Sequence, residues 1–171
     1  MKSEREHKLR RRVKRLITFF IIALIISGVT AFPIETELAI ANNNISSFPT
    51  YLQKWISAVY LAVKNTNKTY PFLSYGTDWL AFAHIVIAVA FIGPLRDPVK
   101  NIWVVQFGMI ACIMIFPLAF IAGPIRGIPF YWQLIDCSFG VFGFGLLYFC
   151  YKNILKLAHA QNSGGNFNQA R

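Results

Sequence analysis

The chain has 171 residues, 56% hydrophobic and only 14% charged, a balance unlike that of a soluble domain and suited to a single membrane domain. Its net charge of +10 does not mark a nucleic-acid surface, because eight of the 17 basic residues crowd into the first fifteen positions and no folded basic face is left. Cys112, Cys137 and Cys150 lie dispersed in apolar runs with no CxxC or zinc spacing, so they read as small buried hydrophobes, and neither a metal nor a cofactor is expected.

Residues 1–15 form a basic segment directly before an apolar run, the arrangement held in the cytoplasm by anionic lipids. The first span is expected at 16–32. A basic start, an apolar stretch at 17–26 and small residues up to Ala31 also fit a cleaved signal peptide, but the long basic segment and Pro33 favour an uncleaved anchor. An outer loop covers 34–77. Glu35 and Glu37 after Pro33 suit the first turn of a short helix through Ala41. Leu52, Trp55, Ile56, Val59, Tyr60 and Val63 then recur at helical spacing, which predicts an amphipathic helix on the outer leaflet or capping the bundle. Asn44-Ile-Ser46 and Asn67-Lys-Thr69 match the glycosylation pattern, as Asn-rich loops do by chance.

Further spans are expected at 79–95, 102–122 and 132–151, the last two matching the ~20 residues that cross a hydrocarbon core. The turn Gly93-Pro-Leu-Arg-Asp-Pro98 joins two of them, with Asn101 expected to cap the next helix and Pro117 to kink it. Residues 159–171 are polar and read as a disordered cytoplasmic tail. With the amino terminus inside, thirteen basic residues fall on the cytoplasmic side and four outside. That bias predicts both termini in the cytoplasm. The expected fold is therefore an all-α, four-transmembrane-helix bundle spanning 16–158, multi-pass in the cell inner (plasma) membrane, with an outer amphipathic helical loop.

Ionisable groups at membrane depth are costly and mark functional sites. Asp78 opens the second span, as a helix cap or a site member. His84 lies about 9 Å further along the helix axis. Ala81 and Ala88 share its face and leave room for a close neighbour, so it is either a bonded structural histidine or a proton carrier. Asp136 enters the fourth span above Gly140 and Gly143, which implies close helix packing or a narrow pocket. An unpaired charge there is expensive, and Arg126 in the loop 123–129 is the expected counter-charge. Trp79, Tyr131 and Trp132 are expected to rim this outward pocket at headgroup level.

Three stretches carry a resemblance: Tyr70-Pro-Phe-Leu-Ser-Tyr-Gly-Thr-Asp-Trp-Leu-Ala-Phe-Ala-His84, Phe91-Ile-Gly-Pro-Leu-Arg-Asp-Pro98 and the run from Gly123 to Gly140. They are similar to small bacterial four-span inner-membrane proteins with no assigned activity, a likeness that implies a bacterial inner-membrane setting and no chemistry. Three functions remain open. The first is a binding or accessory protein holding a small or lipid-like ligand or a partner helix through Arg126, Asp136 and His84, with Asp78 and the rim aromatics. The second is a lipid or isoprenoid enzyme with His84 and Asp136 as acid and base. The third is a proton-coupled transporter subunit. Expected partners are membrane lipids and a membrane protein or a second copy, and not nucleic acid.

Overall fold

The computed structural model describes the backbone of residues 2–168 and the side chains of residue 4 and of 6–161. Among the described residues it is all-helical, with no strand. The helices are α1 (Lys2–Ala31), α2 (Ile34–Asn43), α3 (Thr50–Thr69), α4 (Tyr75–Ala90), α5 (Ile92–Arg96), α6 (Ile102–Ile125) and α7 (Phe130–Asn168). Among the described residues, four segments are long and apolar enough to cross a membrane: Glu6–Ala31, Pro71–Arg96, Ile102–Ile125 and Phe130–Gln161. These are the four expected spans, each somewhat longer. The basic residues of 1–15 join α1 without a break, since arginine and lysine are good helix formers. At the other end α7 runs through Asn168, into the stretch read as a disordered tail, while residues 169–171 lie outside the described residues. Pro117 lies inside α6 without ending it.

The chain divides into two compact units, Ile22–Ala88 and Met1–Ile21 with Val89–Arg171. In the first, α2 and α3 pack antiparallel. Ser57 near the start of α3 donates to Asn42 near the end of α2 (2.8 Å), and Asn67 near the end of α3 donates to Glu35 at the start of α2 (2.6 Å). Ser74 donates in turn to Asn67, tying the approach to α4 into the same polar chain. Both loop helices thus form where the sequence placed them. Asn67 is a structural amide in this network. In the same unit Gly28 of α1 lies against α4, where a Cβ would stand 2.7 Å from the Ala81 carbonyl and 3.2 Å from His84 Cβ. Gly28 is the close neighbour for which Ala81 leaves room.

The second unit is organised by the α6–α7 hairpin. A Cβ on Gly140 would sit 2.7 Å from the Cys112 carbonyl, and one on Gly143 would sit 2.9 Å from Cys112 Sγ. The glycine groove below Asp136 is therefore filled by the α6 backbone, as small-residue crossings in membranes allow. Gly108 makes the matching approach from α6, against Leu147 and Phe91, and Phe91 meets Phe20 at 4.7 Å between ring centroids. Val13, Ile17, Phe91, Val105, Leu147 and Ile154 are fully buried here, whereas large apolar residues such as Leu118, Phe142 and Phe149 are exposed. An inside-out distribution of this kind fits a lipid surround. All three cysteines are buried and unbridged. Asn101 stands at the N-cap of α6 but does not cap it. Its amide is spent on the Gly93 and Asp97 carbonyls, clipping the α5–α6 turn closed.

Candidate functional site

The turn between α6 and α7 places the two charged residues of greatest interest. Pro124 does not interrupt α6, which continues to Ile125, so the connection is only 126–129, shorter than the loop expected from the sequence. Gly127 adopts φ +68°, a conformation open to glycine at little cost. Ile128 N–H then donates to the Gly123 carbonyl at 2.9 Å and Gly127 N–H to that of Pro124 at 3.1 Å. This pair of bonds is the Schellman motif, and it uses carbonyls that the helix end would otherwise leave bare. Arg126 is the last residue before that glycine, and its side chain is exposed.

A residue that the sequence reading passed over locks the turn. Gln133 is 4% exposed and donates from Nε2 to the Ile128 carbonyl at 2.8 Å. Its amide lies against Gly123, where a Cβ would be 2.7 Å from Gln133 Cδ. The available signal was an uncharged amide amid the aromatic start of a span, three residues before an acid and so on its helix face.

Gln133, Asp136 and Arg126 line one hollow of about 280 Å³, whose remaining wall is apolar, including Ile115, Leu118 and Ala119. Asp136 is half-buried. The expected Arg126–Asp136 ion pair is not made: among the described residues the pairs are Glu4–Lys8 and Asp97–Lys100, and neither Arg126 nor Asp136 has a side-chain hydrogen bond. The physical reason is the short turn, which leaves Arg126 exposed at the helix end instead of folding it down onto α7. Tyr131 and Trp132 are half-buried in the first turn of α7 and do not line this hollow.

The remaining predicted residues belong to the other unit. His84 is half-buried, and its Nδ1 lies 2.8 Å from the Leu80 carbonyl one turn earlier. A carbonyl only accepts, so Nδ1 carries the proton in this bond. Asp78 is not a helix cap. Pro71–Leu73 forms a 3₁₀ turn leading into α4, so the helix begins at Tyr75 and Asp78 falls in its first turn, where the helix dipole favours a negative charge. Asp78 and Trp79 line a second hollow with Tyr75, Phe82 and Phe32. Of the seven predicted residues, then, Arg126 and Asp136 share one hollow and Asp78 and Trp79 share another. No group of three or more His, Cys, Asp or Glu side chains among the described residues is placed to hold a metal.

No protein-family model, curated protein or solved structure matches this chain.

Proposed function

We propose that this chain is a four-helix bundle of a bacterial inner membrane with both termini in the cytoplasm, and that it is a binding or accessory protein for an amphiphilic, lipid-like ligand. The α6–α7 hollow is the binding site. The observation that carries this reading is the pairing of an apolar wall with two charged side chains, Arg126 and Asp136, that no other group among the described residues satisfies. Arg126 takes an anionic oxygen of the ligand head, as guanidinium groups do for phosphate and carboxylate. Asp136 accepts from a hydroxyl or ammonium on the same head, and the acyl portion runs along Ile115, Leu118 and Ala119. Binding then relieves the cost of holding an unpaired acid among apolar groups.

The test is photo-crosslinking of the purified protein in nanodiscs with a diazirine-bearing phospholipid, mapped by peptide mass spectrometry. Labelling should concentrate within 115–136 and fall in Arg126→Gln and Asp136→Asn, with helicity unchanged. Equal labelling of the hairpin by a headless diazirine alkane, or undiminished labelling in both variants, would sink the reading.

A further inference from the structure

The second hollow has a different chemistry. Tyr75, Asp78, Trp79 and Phe82 are spaced three, one and three residues apart, which sets them on one face of α4. Phe32, just past the end of α1, closes the hollow, whose volume is about 210 Å³. Tyr75 and Trp79 meet edge to face at 6.0 Å and 81°, and Trp79 and Phe82 do so at 6.1 Å and 87°. In each pair the edge of one ring meets the face of the other. The carboxylate of Asp78, half-buried in this wall, has no hydrogen-bond or ion-pair partner among the described residues.

We propose that this hollow is a binding site for an organic ammonium group, in particular a quaternary ammonium. The negative faces of aromatic rings attract a cation within ~6 Å, and a carboxylate supplies the net charge that rings lack. A metal ion is a poor occupant, because calcium or magnesium needs about six oxygen ligands and the hollow offers one carboxylate. A trimethylammonium group cannot donate hydrogen bonds and is weakly hydrated, so rings replace its water at little loss. Tyr75, Trp79 and Phe82 are each at least half exposed, so the site opens sideways and accepts a head that carries a chain. None of these residues lines the α6–α7 hollow, so this site stands independently of the lipid reading proposed for that hollow.

The experiment uses the full chain in phosphatidylglycerol nanodiscs and compares choline with its uncharged isostere 3,3-dimethylbutanol by saturation-transfer NMR. Choline should bind roughly tenfold more tightly than the alcohol. Asp78→Asn and Trp79→Leu should each weaken it by about tenfold, while Trp79→Phe should retain part of the affinity. The lipid's attraction for cations is common to wild type and variants, so the differences report the hollow. Trp79 is 57% exposed, which lets Trp79→Leu fold, and circular dichroism verifies this for every variant. Equal affinity for the alcohol, or unchanged choline binding in Asp78→Asn and Trp79→Leu, would overturn the proposal. Repeating the titration in phosphatidylcholine nanodiscs identifies the source. Loss of choline binding there assigns the site to a lipid headgroup, and persistence assigns it to a free ammonium compound.

Discussion

Gly123→Ala is the sharpest probe of the hairpin that carries the α6–α7 hollow. The added methyl would stand 2.7 Å from Gln133 Cδ and 2.9 Å from its Cγ and Nε2. Gln133 cannot simply swing aside, because it is 4% exposed and bonded to the Ile128 carbonyl. Overpacking costs about 1–3 kcal/mol. Loss of the amide bond adds roughly 0.5–1.5 kcal/mol. Alanine's better helix propensity returns up to ~1 kcal/mol. The net expectation is a destabilisation of about 1–3 kcal/mol. The double variant Gly123→Ala/Gln133→Ala decides whether this reasoning holds, since truncating Gln133 removes the atoms the methyl meets. It should be at least as stable as Gln133→Ala alone, a favourable coupling of about 1–3 kcal/mol. Reversible unfolding in mixed micelles against rising SDS measures all four corners of the cycle. Additivity within ~0.5 kcal/mol would refute the proposed contact. Because the Gly123 carbonyl also receives the Ile128 N–H, the single variant should lower diazirine-lipid labelling at the hollow.

Gly140→Ala should lower the thermal midpoint in detergent, by a local strain of about 1–3 kcal/mol against the Cys112 carbonyl, while Gly145→Ala on the same helix, with open space at its Cβ, should leave it unchanged or raise it. Equal midpoints would remove the α6–α7 crossing from the account. Asn67→Leu should release α2 from α3 by breaking the bond to Glu35, seen as faster amide exchange in 34–43 with the spans still protected, at about 1.5–3 kcal/mol for a bond to a charged group. Exchange unchanged from wild type would assign the pairing to the apolar stripe of α3 alone. For the proposed orientation, Lys54→Cys should react with a membrane-impermeant maleimide in intact cells, and Lys100→Cys should do so only after permeabilisation. The reverse pattern would invert the topology.

The helices were legible because their signals are local. A run of apolar residues without charge, or a stripe such as Trp55, Ile56, Val59 and Tyr60, fixes an element whatever it packs against. Gly140 and Gly143 read as close packing or a narrow pocket, and the α6 backbone decides for packing. What α4 and the turn would do was less legible. Asp78 looked like a cap because the apolar run begins at Trp79, yet the preceding 3₁₀ turn starts the helix earlier. Arg126 reads as a partner for Asp136 because the stiff, apolar loop 123–129 can fold down onto α7, yet α6 continues through Pro124 to Ile125 and ends at the left-handed Gly127 with Arg126 exposed. Neither Gln133 nor Gly28 announces its contact, since each depends on the approach of a second segment.

Several polar side chains in these spans bond to the backbone nearby. Gln133 donates to the Ile128 carbonyl, Asn153 to that of Phe149, Ser138 to that of Ile135, Thr30 to that of Ile26, and His84 Nδ1 to that of Leu80. Each returns its proton to a backbone oxygen within five residues. The desolvation cost of the bonded atom is thus met locally in each case. That is why His84, prominent in the sequence, carries no chemistry in either proposal. Asp78, Arg126 and Asp136 have no such partner among the described residues, and each of the three borders a hollow. Asp78 and Asp136 fall within segments apolar enough to cross a membrane, where an unpaired acid is costly unless water, lipid or a ligand meets it. The walls then separate the two sites by chemistry. An apolar wall with opposite charges fits an amphiphile whose head carries an anionic oxygen and a donor, and an aromatic wall with one carboxylate fits an organic cation.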